Sequence, residues 1–263
     1  MKIVVITGST RGIGYGLADA FLGSGCAVVI SGRTQEAVAK AIAVLTMKHE
    51  AAQLFGQPCD VTDFAQVHAL WEATRTHFGR VDIWINNAGI AHPQEKFWEL
   101  SPERFNAVVS TNILGTMYGS RVALQGMLAQ GFGALFNMEG FGADGNRTMD
   151  GLALYGSTKA GLHFLNRSLV RETRGTALIV GAIRPGMVIT EMVLGQFEGR
   201  PEAWARFQPI LNTIGSPVET VTPWIARKIL ENQQTGAWIT YSTPWRILGR
   251  MLRMPFHRRR NAK

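Results

Sequence analysis

No acidic residue follows Glu231, whereas seven basic ones do: Arg246, Arg250, Arg253, Arg258, Arg259, Arg260 and Lys263. Without those seven the remaining 20 Lys and Arg face 19 Asp and Glu, so the formal net charge of +8 belongs to the tail and the body is near neutral. A neutral body with no nucleic-acid recognition motif argues against a nucleic-acid partner. Cysteine is scarce, with Cys26 and Cys59 alone, which excludes a disulfide framework and fits a reducing, cytoplasmic setting. The six histidines lack metal-ligand spacing, and no metal is assigned. No apolar run approaches the roughly 20 residues of a spanning helix. Met1-Lys2 leads into Ile3-Val4-Val5-Ile6, too short for a signal-peptide core and read as a first strand.

What is present is 263 residues, 46% of them apolar, in which β-branched runs alternate with helical patterns. That predicts one α/β domain over 1–243, followed by a tail, 244–263. Strands are expected at residues 2–7, Cys26–Ile30, Gln53–Pro58, Val81–Ile85, Ala134–Met138 and Leu178–Ile183. Helices are expected at about 12–24, 34–49 (with Ala37, Ala41, Val44 and Leu45 on one face), 63–78, and from Ser101-Pro102 to about Gln130.

After the first strand comes Thr7-Gly8-Ser9-Thr10-Arg11-Gly12-Ile13-Gly14. Glycines there let backbone approach a pyrophosphate at a helix N-terminus, though the pattern alone also describes an ordinary strand-to-helix turn. The second strand ends in Ser31-Gly32-Arg33 without the carboxylate that would hold a ribose 2′-hydroxyl. Arg33 and Arg11 suit a 2′-phosphate, so NADPH is favoured over NADH; the alternative is two solvated arginines. Asp60, in Cys59-Asp60-Val61, is a candidate for the adenine amino group, and Asn86-Asn87-Ala88-Gly89 supplies small residues along the cofactor. Tyr155 and Lys159, four apart, share a helix face. An ammonium there is expected to lower the tyrosine pKa from about 10 and prepare it to protonate a carbonyl oxygen.

The set T-G-x-x-x-G-x-G, N-N-A-G, Asn112, Y-x-x-x-K and Pro185-Gly186-Met187-Val188-Ile189-Thr190 resembles the short-chain dehydrogenase/reductase family over about residues 2–240. The resemblance implies a doubly wound, Rossmann-type domain with a seven-stranded parallel sheet. It implies Tyr155 as general acid/base, Lys159 as its tuner and ribose anchor, and Asn112 as the holder of a relay water. The implied cofactor set is Gly8, Ser9, Arg11, Gly12, Ile13, Gly14, Arg33, Asp60, Val61, Asn87, Ala88, Gly89, Tyr155, Lys159, Pro185, Gly186, Val188 and Thr190.

One departure stands out. The family's substrate-binding serine at the end of the fifth strand is missing: the chain reads Asn137-Met138-Glu139-Gly140-Phe141-Gly142. Either reduction is lost, leaving an NADPH-binding regulator, or a backbone N–H, a water or Glu139 takes the hydroxyl's place. The Asn-Met-Glu-Gly wording, the Tyr155 segment, Pro185–Glu191 and Thr243-Pro244-Trp245-Arg246-Ile247-Leu248 resemble the chlorophyll b reductase branch. That implies reduction of a tetrapyrrole formyl group to hydroxymethyl; another large apolar aldehyde or ketone is the alternative.

The stretch at about 191–216 is strongly apolar. It reads either as an amphipathic helix packed on the body or as a lid over substrate, with Phe197 and Trp204 as candidate contacts. His92 is a further candidate at the cleft edge, the alternative, which the loop position favours, being a place on the loop surface. The tail alternates Trp245, Leu248, Met251 and Leu252 with arginines. This suits an anionic membrane surface, such as a thylakoid or inner-membrane face, or equally a solvated segment or one docked on a neighbouring subunit. Family analogy implies a homodimer or homotetramer.

Overall fold

A computed structural model describes residues 1–146 and 148–243, so the basic amphipathic tail of the sequence reading lies outside the described residues. The chain runs β1 (Ile3–Ile6), α1 (Gly12–Leu22), β2 (Ala27–Gly32), α2 (Gln35–Leu45), β3 (Leu54–Pro58), α3 (Phe64–Phe78) and β4 (Ile83–Asn86). It continues through α4 (Pro102–Val109), a π-helical turn (Ser110–Leu114), α5 (Gly115–Gln130), β5 (Gly133–Met138), α6 (Ala153–Glu172) and β6 (Leu178–Arg184). The last part comprises β7 (Val188–Ile189), α7 (Glu191–Leu194), α8 (Pro201–Ile214), β8 (Ser216–Pro217), α9 (Val218–Glu231) and β9 (Trp238–Thr240).

Seven strands form one parallel sheet in the order β3-β2-β1-β4-β5-β6-β9. The expected doubly wound fold is therefore present. A parallel sheet needs helices on both faces, which is why β1, β2 and β4 are buried at every position and read as largely apolar runs. One face packs Leu17, Phe21, Val221 and Ile225 against the strands. The other packs Trp71, Trp84, Val122 and Met127. Chain order reverses between β1 and β4, which opens a crevice at their carboxyl ends. The glycine turn, Asn87-Ala88-Gly89, Glu139-Gly140 and Pro185-Gly186 leave strands on that edge, whereas Asn112, Tyr155 and Lys159 are carried by helices.

Two local expectations need correction. The buried stripe of α2 is Val38, Ala41 and Leu45, whereas Val44 is exposed; Thr34 caps the helix, accepting from the Ala37 N–H. α1 ends at Leu22, with the N–H of Ser24 and of Gly25 turned back onto Phe21 and Leu22. The long helical stretch expected from Ser101 does run to Gln130, with a π turn at 110–114 between α4 and α5. Ser101 caps its start as expected, accepting from the Arg104 N–H at 3.3 Å.

Candidate active site

The glycine turn is held from both sides by backbone. The Ser9 N–H donates to Ser31 O at 2.8 Å, and its hydroxyl donates to Ile6 O at 2.7 Å. On the β4 side Thr7 Oγ1 accepts from the N–H groups of Asn87 and Ala88 at 3.0 and 3.1 Å. The Asn87 amide donates to Thr7 O and Gly8 O at 2.9 and 3.0 Å, so its side chain holds the turn instead of lying free along the cleft. Gly8 has φ +63°, and a Cβ there would stand 2.9 Å from Ala88 Cα. A Cβ on Gly14 would stand 2.4 Å from Gly8 O and 2.5 Å from Asn87 Nδ2. Only glycine fits these positions. Arg11 offers no side-chain cap to α1, which leaves first-turn N–H groups available to an anion.

The ends of the cradle carry the two arginines. Arg33 is exposed beside Thr34. Arg11 Nη1 pairs with Glu191 at 3.1 Å, both side chains about three-quarters exposed, across the cleft from α7. Asp60 Oδ1 accepts from the backbone and hydroxyl of Thr62 at 2.9 and 2.8 Å, while Val61 is buried. Thr190 caps α7 and lies close to the turn: a Cβ on Gly12 would be 3.8 Å from its methyl. Gly186 is pressed against Ser242, and Val188 is buried in the short β7–β8 pairing. The turn, Asn87-Ala88-Gly89 and Thr190 thus line one crevice, and this cradle fits a dinucleotide diphosphate.

Tyr155, Lys159 and Asn112 meet at the other end. Lys159, 4% exposed, donates from Nζ to Met138 O at 3.1 Å and sits 5.6 Å from the centre of the Tyr155 ring. Asn112 Oδ1 accepts from the Ile90 N–H at 2.8 Å; its amide donates to Ile90 O at 3.0 Å and to Thr158 Oγ1 at 3.1 Å. It therefore ties the loop after β4 to α6. The π turn sets the Asn112 side chain at this junction, and such turns are frequent at functional sites.

Burial pushes the Tyr155 phenol up to about 12. The direction is opposite to the lowering expected from Lys159, because desolvation disfavours the phenolate. Burial pulls Lys159 down to about 8, and the Glu139 carboxylate pulls the other way. At neutral pH the pair is a neutral phenol and an ammonium, the state required of a proton donor.

The missing serine has a structural counterpart in Gly140. A Cβ at this position would stand 2.6 Å from the Tyr155 hydroxyl, so backbone occupies the space beside the phenol. Glu139 does not replace the hydroxyl. It is 1% exposed and accepts from Asn166 Nδ2 at 3.1 Å, Trp238 Nε1 at 3.3 Å and Arg184 Nε at 2.5 Å, with His163 Nδ1 lying 3.1 Å from it and 3.0 Å from Arg184 Nη2. His92 is corrected too: it is 1% exposed, with Nδ1 on Pro93 O and Nε2 buried without a hydrogen-bond partner among the described residues. Phe197 is not a free cleft wall but is stacked on Phe207 at 4.5 Å inside a small core with Leu211. Trp204 covers that core at 5.8 Å from Phe197. The segment 191–216 is thus an apolar helical unit, and Arg200 straps it down through Glu95 at 2.8 Å and the carbonyl of Gln94.

The sequence reading missed Thr7, Gly140, Glu191, Arg200 and the buried set Asn86, Asn137, Asn166, Arg184 and Trp238. Asn137 and Glu139, two apart in an apolar strand and its exit, were the available signal that one side of β5 meets polar partners. Among the described residues no group of three or more His, Cys, Asp and Glu could hold a metal ion.

The family model for short chain dehydrogenases matches residues 2–200, and the chain belongs to that family. A probable chloroplastic chlorophyll(ide) b reductase of Oryza sativa subsp. japonica is 36% identical over 93% of this chain and 50% of its own length. The chain thus spans about half of that relative. A chloroplastic chlorophyll(ide) b reductase of Arabidopsis thaliana is 37% identical over 89% of this chain and 67% of its own length. Among solved structures, the closed form of serine dehydrogenase complexed with NADP+ superposes with TM-score 0.79 at 26% identity, covering 91% of this chain and 94% of that one.

Proposed function

We propose that this chain is an NADPH-dependent carbonyl reductase that reduces the formyl group of chlorophyll b, or of a chlorophyll b-like tetrapyrrole, to hydroxymethyl. The observation that carries the reaction class is the meeting of Tyr155, Lys159 and Asn112 beside a glycine-lined dinucleotide cradle. The substrate class draws on the identity to the two chlorophyll(ide) b reductases and on the apolar unit at 191–216. The cofactor choice draws on Arg11 and Arg33 and on the NADP+ carried by the serine dehydrogenase.

NADPH, when bound, supplies the hydride. The chain supplies the proton and the electrostatics. The Tyr155 hydroxyl is a neutral donor at working pH, and it gives its proton to the carbonyl oxygen as negative charge develops there. The Lys159 ammonium stabilises the phenolate left behind. Asn112 keeps the loop after β4 and the start of α6 in register, so that the donor faces the crevice. With Gly140 in the serine's place, Tyr155 is the side-chain donor to that oxygen.

The test is anaerobic incubation of the protein with NADPH and a panel of carbonyls, including chlorophyll b and chlorophyllide b, followed by the cofactor absorbance and the pigment bands. Loss of NADPH with a pigment shift is the expected outcome. Turnover of other large aldehydes or ketones but not the pigments would keep the reductase and remove the substrate. Gly140 favours one second reading, a non-catalytic NADPH-binding regulator; tight binding without turnover of any carbonyl is its signature.

Two further parts of the proposal concern partners. Val109, Leu114 and Met117 along α4, the π turn and α5, with Phe164 on α6, are exposed apolar residues that a homodimer or homotetramer would cover. Light scattering on the purified chain tests this. No helix among the described residues is long and apolar enough to cross a membrane. Association with an anionic surface through 244–263 requires stronger liposome binding by the full chain than by a 1–243 truncation.

A further inference from the structure

The network around Glu139 is unusual in its place. Its carboxylate is fully buried, and the four groups that reach it come from α6 (His163, Asn166), β6 (Arg184) and β9 (Trp238). Its own N–H donates to Ile183 O at 2.9 Å, so backbone and side chain are both fastened to β6. The residue before it, Met138, gives the carbonyl that accepts from Lys159 Nζ at 3.1 Å. The residue after it, Gly140, is the backbone packed against the Tyr155 hydroxyl. Glu139 therefore lies between the two main-chain points that touch the two reactive side chains.

The network also extends away from the site. Asn166 bridges Glu139 to Asn137, whose Oδ1 accepts from Asn86 at 2.8 Å, and Asn86 in turn accepts from Trp84 Nε1 at 2.8 Å. One chain of buried hydrogen bonds thus links the exits of β4, β5 and β6. A buried ion pair such as Glu139–Arg184 is poor evidence for stability, since desolvation offsets its attraction; holding one geometry is its better-attested use.

We propose that Glu139 is a positioning residue for the proton donor, clamping the 138–140 turn so that Lys159 and Tyr155 are held together, and placing its negative charge behind the Lys159 ammonium. The titratable groups facing Lys159 are Glu139 from the exit of β5 and Tyr155 from its own helix. Arg184 of β6 and His163 of α6 bind Glu139 itself, and the remaining neighbours, Asn112 and Gly89, are uncharged. The sign follows: burial lowers the Lys159 pKa, Glu139 raises it, and neutralising Glu139 lowers it further. The catalytic consequence rests on the reductase reading, but the readout below does not.

The experiment is an NMR titration of ¹³C-labelled lysines in the full chain, with the Lys159 signal identified by its loss in Lys159→Met. In Glu139→Gln the Lys159 midpoint should move down from about 8 by about one unit, while Glu139→Asp returns it toward the wild-type value. If the chain reduces carbonyls, the alkaline limb of its rate profile moves by the same amount in the same direction. A Lys159 midpoint unchanged in folded Glu139→Gln overturns the proposal, whether or not any carbonyl is turned over. If Glu139→Gln does not fold, the double variant Glu139→Gln/Arg184→Gln removes both charges. A smaller downward shift is then expected, because the Arg184 cation is lost with the carboxylate, and an unshifted midpoint again overturns the proposal.

Discussion

The two ends of the crevice are held by opposite means. The dinucleotide cradle, at the exits of β1 and β4, is a matter of closeness: main-chain N–H groups of Ser9 and Asn87 bonded to Ser31 O and Thr7 Oγ1, and glycines whose Cβ atoms would overlap Ala88 or Gly8. The proton-donor end, at the exits of β5 and β6, is a matter of charge: a buried carboxylate, an arginine and three asparagines. The first arrangement fails when an atom is added. The second fails when a partner is removed. The cradle must serve a large cofactor that comes and goes, whereas the donor end must fix a proton and an ammonium to within a fraction of an ångström.

Tyr155→Phe separates the two ends most sharply. It removes the hydroxyl and little else, so turnover should fall by about 10²–10⁴-fold, while NADPH binding followed by fluorescence stays near wild type. Unchanged turnover would sink the mechanism. Gly14→Ala should do the converse. The new methyl meets the Gly8 carbonyl and the Asn87 amide, and overpacking of this kind costs about 1–3 kcal/mol. NADPH affinity should drop roughly 10–100-fold if that cost falls on the bound state, and the melting temperature should fall. A cradle that binds NADPH as before would show that it is looser than the distances imply.

Asn137→Ala probes the polar end without touching a reactive group. It leaves the Asn86 and Asn166 side chains short of a buried partner, which costs about 1–3 kcal/mol of stability. Urea unfolding should register that loss while the NADPH dissociation constant moves less, since Asn137 reaches the cradle only through Asn86. Equal losses in both would mean that the two ends are one unit.

This contrast also accounts for what could be read from the sequence. Glycine where a Cβ would clash, as at Gly8 and Gly14, or where φ is positive, as at Gly12, is a local fact, so these three announce a cradle as soon as they follow an apolar strand. Tyr155 and Lys159 are legible for the same reason, since one helical turn joins them. Glu139 misled because its partners lie 24 to 99 residues away: His163, Asn166, Arg184 and Trp238. Nothing near it in sequence says which way a side chain at a strand exit points, and an acidic residue in the serine's place reads as a substitute for it. Phe197 and His92 went astray likewise. Their burial is decided by Phe207 and by the loop after β4, both beyond the reach of periodicity. The π turn at Asn112 has no propensity signature, and its helix was read straight through.

The smallest effect expected concerns Arg33. It is exposed, so its attraction for a 2′-phosphate is screened by water and salt. Arg33→Ala should weaken NADPH binding by about tenfold at low salt, the scale of one charge-assisted contact, and leave NADH binding unchanged. The gap between the two cofactors should narrow as ionic strength rises through the range where the Debye length drops below about 10 Å. Arg11 gives the internal control, because it is already paired with Glu191 at 3.1 Å and must release that carboxylate to reach a phosphate. Arg11→Ala should therefore cost less than Arg33→Ala, and Glu191→Gln should slightly tighten NADPH. If Arg33→Ala weakens NADPH and NADH alike, the exit of β2 does not read the 2′-phosphate, and selectivity passes to Arg11 and the glycine turn. In that case the cradle end, too, would depend on a charge held across the cleft, and the division between closeness and charge would hold for the diphosphate alone.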